Sequence, residues 1–239
     1  MASSSPPRRA RLVVDLPSLT PLPSAAERAA EVIRNSILEG RFPPGAALPE
    51  AALSQALQVS RNTVREAFRT LMNENLLVHE PHRGVTVRWL TVEDVRDIYL
   101  LRRMLELSAI DALGAGQARF DREPLAESIA AARRSVAADD WVAVGTDNLR
   151  FHEHLVGFHG SPRVNKIFQR LMIEVRLGFL AHADLRAFHE PYLELNQEIC
   201  DQLIAARHAD AHATLSRYLD GSLEAVVKAV AAAPDRRLG

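Results

Sequence analysis

Apolar positions recur at helical spacing along nearly the whole chain, giving way to a strand rhythm only once. Over residues 26–39, Ala29, Val32, Ile33, Ile37 and Leu38 mark one face of a helix, and Gly40 stands where a helix-ending glycine belongs. Phe42-Pro43-Pro44-Gly45 reads as a turn, through fixed proline φ and glycine freedom. A second short helix is predicted over about 50–57. After the break Gln58-Val59-Ser60 a third runs to about residue 75, with Ser60 as its N-cap and Leu71 packed inward. The period then drops to two. Residues 76–80 and 85–89 read as strands flanking the hairpin tip Pro81-His82-Arg83-Gly84.

From Thr91 onward the strand signal disappears. Thr91-Val92-Glu93-Asp94 reads as a capped helix start with acids in its first turn. Helices are predicted over about 92–113, 123–138, 140–158, 163–182, 191–207 and 209–232. Breaks are expected at Gly114-Ala115-Gly116, Asp139-Asp140, Gly160-Ser161-Pro162, residues 184–191 and Arg207-His208. No period of 20–50 residues recurs, so the helices form a bundle and not a solenoid. The expected fold is mostly α: an N-terminal winged helix-turn-helix with a small β-hairpin wing, followed by an all-α antiparallel bundle. Residues 1–24 are read as a flexible Ser/Pro-rich tail, 25–90 as the DNA-binding domain, 91–233 as an all-helical domain, to which the family resemblance given below assigns effector binding and dimerisation, and 234–239 as a second tail.

Composition narrows the class further. The 239 residues are 47% apolar and 25% charged, an ordinary globular balance with room for two cores. A single cysteine, Cys200, cannot form an internal disulfide. No apolar run approaches the 18 residues of a membrane span. Arg8-Arg9 could open a twin-arginine signal, but Asp15 and Pro17 interrupt the apolar stretch behind it. The expected location is cytoplasmic. Residues 1–90 carry 11 arginines against 8 acids, while residues 91–239 carry a net −4, the sign of asymmetry a DNA-binding front end needs.

Arg61 and Arg65 stand one turn apart at the start of the third helix, the end that enters a major groove in this layout. There arginine grips guanine O6 and N7. Ser60, Asn62 and Thr63 offer short donors beside a helix N-terminus that favours phosphate. Arg83 at the wing tip can reach the minor groove or backbone, with Gly84 allowing close approach.

In the bundle, polar residues interrupt apolar stripes. Arg102 lies amid Val95, Ile98, Leu105, Ala109 and Ala112, so it needs an anion. Glu106, one turn on, could supply it as a plain salt bridge; alternatively Arg102 awaits a ligand carboxylate. Asn148 and His152 share a face with Trp141, Leu155 and His159. Asn196 aligns with Ile199 and Leu203, and Tyr218 with Leu215 and Ser222.

The run Gly40-Arg41-Phe42-Pro43-Pro44-Gly45, Leu48, Glu50, Leu53 and Val59-Ser60-Arg61-Asn62-Thr63-Val64-Arg65-Glu66-Ala67 resembles the winged-helix domain of the GntR superfamily. The helical remainder resembles the effector domain of its FadR-type branch, the FCD domain. The resemblance spans roughly residues 26–232. It implies a homodimeric, ligand-responsive transcription regulator, more commonly a repressor, on a palindromic double-stranded operator. It places DNA contacts at Ser60, Arg61, Thr63, Arg65 and the Arg83-Gly84 wing. FadR-type domains frequently hold a divalent metal through an Asp and a His one turn apart plus two later histidines. Phe151-His152 fits the first histidine, but the other positions fall at Asn148, Asn196 and Tyr218. Asp147 is one step off and turned away by ~100°; His208 and His212 read as solvated. With His152 alone retained, no metal or other cofactor is expected. Arg102, Asn148, His152, Asn196 and Tyr218 are then expected to bind a small carboxylate effector directly. An architectural DNA-binding protein without effector is the alternative. An enzyme using the His152 pocket lacks an acid/base partner, a nucleophile elbow and a phosphate loop, so no enzymatic activity is expected.

Overall fold

A computed structural model describes residues 23–233. The segments 1–22 and 234–239, which hold nearly all of the two expected tails and the Arg8-Arg9 pair, lie outside the described residues. Among the described residues there are nine helices and one two-stranded antiparallel sheet. None of these helices is long and apolar enough to cross a membrane.

Helix α1 (Ala25–Leu38) starts at Ser24, which forms a reciprocal capping box with Glu27. It buries Ala29, Ala30, Ile33 and Ile37. Val32, expected on that face, is exposed instead, because the apolar stripe runs through Ala30. Helix α2 (Glu50–Leu57) ends at Gln58 in the left-handed region, and α3 (Arg61–Asn73) begins immediately beyond it. Val64, Ala67, Phe68 and Leu71 pack α3 onto α1. Strands β1 (Leu77–Glu80) and β2 (Gly84–Val87) pair from Leu77 opposite Val87 to Glu80 opposite Gly84. An isolated bridge from Ala47 to Thr86 ties the turn before α2 to the wing.

The bundle comprises α4 (Val92–Gly114), α5 (Arg122–Ala137), α6 (Trp141–Gly157), α7 (Pro162–Phe179), α8 (Leu185–Ile204) and α9 (His208–Ala232). Thr91 and Asp94 form the expected capping box on α4. One expectation fails here: α8 starts six residues before the predicted position, with Pro191 inside it. Asp184 caps the new start by accepting from the Ala187 amide at 2.9 Å. The early turns pack Phe188 and His189 against Phe179, with ring centroids 5.0 and 5.2 Å apart. That burial offsets the backbone bond that proline removes.

Two apolar cores result. One lies within the bundle around Ile110, Leu125, Phe151, Ile199 and Leu215. The other runs without interruption from the winged helix (Ile33, Phe68, Leu76) into α4 and α7 (Val95, Phe168, Met172). The winged helix and the bundle therefore share apolar packing.

Candidate functional site

The start of α3 is organised from within. Ser60 Oγ accepts from the Thr63 amide at 3.1 Å and lies 2.8 Å from Thr63 Oγ1, satisfying a donor that the helix leaves open. Burial of Val64, Ala67 and Phe68 turns Arg61, Asn62 and Arg65 outward, all exposed. Arg65 Nε donates to Glu50 Oε2 on α2 at 2.8 Å, and Asn62 donates to Glu66 at 3.0 Å. On the wing, Arg83 donates to Glu80 at 3.0 Å. Exposed pairs of this kind are worth ~0–1 kcal/mol, so they orient the arginines without locking them away from a phosphate or base. Gly84 has φ +78° and open space where a side chain would be. Two features were not singled out in the sequence: Glu50 as the partner of Arg65, and Arg69, which continues the exposed Arg61–Arg65 row by one more turn. The second was legible from i, i+4 spacing alone.

In the bundle, four helices bring one polar cluster together. Arg102 and Glu106 come from α4, Asn148 and His152 from α6, Asn196 from α8 and Tyr218 from α9. Each is buried, and Arg102, Glu106 and His152 wholly so. Arg102 Nε donates to Glu106 Oε1 at 2.8 Å, and Glu106 Oε2 lies 2.6 Å from His152 Nδ1. Both roles weighed for Arg102 are thus compatible: its Nε is satisfied by Glu106, while Nη1 and Nη2 have no partner. Asn148 exchanges hydrogen bonds with the Tyr218 hydroxyl at 2.9 and 3.0 Å, and its Oδ1 accepts from Asn196 Nδ2 at 2.7 Å.

Protonation follows from these contacts. Burial alone would raise the Glu106 carboxyl, but Arg102, then His152, and their hydrogen bonds hold it below the usual carboxylate range. Burial pulls His152 below an ordinary histidine despite Glu106, so its ring is neutral at pH 7. With Glu106 ionised, His152 must donate from Nδ1, which leaves Nε2 as a bare acceptor. Burial likewise keeps the Tyr218 phenol protonated. The cluster therefore presents two orphaned donors, Arg102 Nη1 and Nη2, and two orphaned acceptors, His152 Nε2 and Asn196 Oδ1.

These residues do not suit a divalent metal. A buried guanidinium with free N–H groups repels a cation; the Glu106 carboxylate is already held by Arg102 and His152, and two amides, a protonated phenol and one imidazole are a poor donor set beside it. Among the described residues no group of three or more His, Cys, Asp or Glu side chains gathers into a metal-ligand cluster. Asp147 points to α5, accepting from Ser135 at 2.8 Å and pairing with Arg150 at 2.9 Å. His212 faces Asp111 at 3.7 Å, away from the cluster. Glu106, the hinge of the whole arrangement, was read from sequence only as a partner for Arg102. Its bond to His152 crosses from α4 to α6 and leaves no local signal.

Residues 25–87 match the family described as bacterial regulatory proteins, gntR family, and residues 97–221 match the FCD domain. The fold superposes with a TM-score of 0.79 on a putative transcriptional regulator GntR from Rhodococcus sp. RHA1, at 36% identity over 85% of this chain and 97% of that one. The chain is 26% identical to a probable D-xylose utilization operon transcriptional repressor of Paenarthrobacter nicotinovorans, over 86% of this chain and 95% of that protein. It is 28% identical to the uncharacterized HTH-type transcriptional regulator YdhC of Bacillus subtilis, over 58% of this chain and 62% of that protein. A helix start armed with arginines, a hairpin wing and a helical bundle with a polar heart thus agree with both matches: the chain belongs to the GntR family of DNA-binding transcription regulators, in the group that carries an FCD domain.

Proposed function

We propose that this regulator is a homodimeric repressor whose grip on a palindromic operator is set by a small hydroxycarboxylate held inside the bundle. Ser60, Arg61, Asn62, Thr63 and Arg65 contact the major groove, and Arg83 with Gly84 contacts the neighbouring backbone or minor groove. The apolar side chains Leu100 and Met104, one turn apart and exposed on α4, together with Ile167 on α7, supply a surface for the second copy. Repression accords with the Paenarthrobacter relative, a probable operon repressor.

The observation that carries the effector reading is the set of four orphaned polar atoms in one buried cluster. Left unsatisfied, each costs ~1–3 kcal/mol. A carboxylate accepts from both Arg102 Nη groups, and an adjacent hydroxyl donates to His152 Nε2 or Asn196 Oδ1. Asn148 and Tyr218 hold Asn196 in place. The binding reaction brings a second anion near Glu106, and the two winged helices then shift relative to half-sites ~34–36 Å apart.

Thermal unfolding with glycolate tests this. At a hundred times its dissociation constant, a ligand of the folded state adds ~2.7 kcal/mol. Stabilisation should vanish in Arg102→Met, and His152→Ala should bind operator normally yet no longer release it. A glycolate response unchanged in Arg102→Met would exclude the site, and the architectural reading would replace it if no small carboxylate acted at all.

A further inference from the structure

Arg102, Glu106 and His152 are wholly buried, and the narrow cleft over the cluster, lined by Asn148, Asn196, Ser128 and Leu193, reaches only its amide side. A ligand bound at the Arg102 end must therefore move something on the other side. A cleft of about 870 Å³ lies between the end of α7, the start of α8 and the last turns of α9, and meets this region at Tyr192. Its walls are mainly apolar: Trp89, Leu180, Phe188 and Tyr192, with Ala225 and Ala229 one turn apart on α9. Lys228 stands on the rim as an exposed cation.

Tyr192 belongs to both spaces. One side of it lines the cleft. Its ring lies 4.6 Å from the Tyr218 ring, inside the polar cluster. Burial, with Tyr99 adding to it, pushes its hydroxyl up to about 12, while Ser222 and Arg102 act on the same hydroxyl in the opposite sense. The helix is weakest at this point. Pro191 has no amide to give the Ala187 carbonyl, and both residues line the cleft. A turn lacking one backbone bond carries the side chain that separates cleft from cluster.

We propose that the effector site has two compartments joined through Tyr192, so that the effector is a 2-hydroxycarboxylate bearing an apolar or aromatic tail: the acid head reaches Arg102 and the tail lies in the cleft under Trp89. This rests on the effector reading above and adds the ligand's other half. The alanines of α9 leave the width that a tail needs, and the cleft's apolar walls match it in chemistry. Trp89 makes the tail visible to the DNA-binding end, because it packs on the Gly45 turn so closely that a methyl group there would collide with its indole ring.

The probes are glycolate, 2-hydroxybutanoate, 2-hydroxyhexanoate, 2-hydroxyoctanoate and 3-phenyllactate, titrated calorimetrically into the full chain. Trp89 emission is read in parallel in a Trp141→Phe background, which leaves it the sole tryptophan. Affinity should rise roughly threefold per methylene group as the tail is buried, and Trp89 emission should respond to the long acids only. Ala229→Trp, which fills the cleft, should abolish the gain with length while leaving glycolate affinity unchanged; Ala225→Met should reduce it. Glycolate binding serves as the folding control for both variants. If glycolate binds in an Arg102-dependent way but chain length changes nothing, or Ala229→Trp leaves the gain intact, the cleft compartment is refuted and the polar site stands. If Arg102→Met alters no affinity in the series, the polar site falls and takes the two-compartment scheme with it.

Discussion

Arg176 Nε donates a 2.8 Å hydrogen bond to the main-chain oxygen of Leu38, joining α7 of the bundle to the last turn of α1 in the winged helix. Its Nη2 donates to the Val142 oxygen at 2.6 Å, near the start of α6. One wholly buried guanidinium thus ties two bundle helices to the reading head. Burial pulls it down to about 10, with Asp140 acting against, so it remains charged at neutral pH. Room for it exists because residue 145 is glycine; a methyl there would collide with the guanidinium and with the His189 ring.

Replacing Arg176 by Met removes both bonds and leaves the Leu38 carbonyl without its donor, while the Val142 carbonyl keeps the Thr146 hydroxyl at 3.3 Å. Stability to urea should fall by about 1–3 kcal/mol, the range for orphaning one buried acceptor. Gly145→Ala should destabilise for the converse reason, by displacing the same side chain. In both variants the effector should still bind but should release operator less completely, since α7 and α1 no longer move as one. Anisotropy titrations with and without effector check this; full release by Arg176→Met would show that the contact is only structural.

Acid should destabilise the fold well above the carboxylate range. Burial, with Arg176 and His182 adding to it, holds His189 down to about 3, and neither of its ring nitrogens has a hydrogen-bond partner. Its folded pKa lies below the unfolded value near 6.5, so the unfolded chain takes up a proton that the folded chain refuses. Stability is therefore unaffected above that value and falls as pH drops through it toward the folded pKa. At pH 5 this one residue should cost about 2 kcal/mol. His182, held to about 4 by burial, acts in the same direction. Urea unfolding at pH 7 and pH 5 should show the loss, and His189→Gln should lessen it; an equal slope in the variant would remove His189 as its source.

Glu106 carries two partners, Arg102 at 2.8 Å and His152 at 2.6 Å. In Glu106→Gln the shape survives but a buried cation loses its counter-charge. Breaking such a pair from one side costs about 3–5 kcal/mol. The added carboxylate of an effector should restore part of it, so ligand stabilisation should be larger in the variant than in the wild type. Calorimetric melting with and without glycolate measures both effects, and a variant as stable as the wild type would mean that Arg102 has found another anion.

These contacts show where sequence reasoning reaches and where it stops. Helix α3 was readable because cap, apolar spacing and charge all sit within one short segment, with Ser60 before it and Phe68 inside it. Arg102, Asn148, His152, Asn196 and Tyr218 were readable as polar breaks in apolar stripes, and all five are buried in one cluster. The start of α8 was not, since a local proline rule pointed one way and burial of Phe188 and His189 the other. Arg176 was not singled out, although it breaks an apolar stripe four residues after Met172 and three before Phe179, as Arg163, Lys166 and Arg170 do not. Its acceptors lie on α1 and α6 and leave no local signal.

The DNA-facing arginines should separate by what they touch. On the proposed docking, with the start of α3 in the major groove, Arg61→Ala and Arg65→Ala should each cost ~1–3 kcal/mol and relax base preference at one position per half-site. If the wing's Arg83 meets backbone and not the minor groove, Arg83→Ala should weaken every sequence alike and lower the salt slope by about one. Arg65 must first leave Glu50, its 2.8 Å partner across α2 and α3. Because an exposed pair is worth ~0–1 kcal/mol, Glu50→Gln should strengthen operator binding by no more than that, chiefly at low salt. Anisotropy titrations over a range of KCl, on operator and on scrambled duplex, resolve all four variants. Sequence preference left intact by both Arg61→Ala and Arg65→Ala would rule out α3 as the reading helix, whatever the wing does.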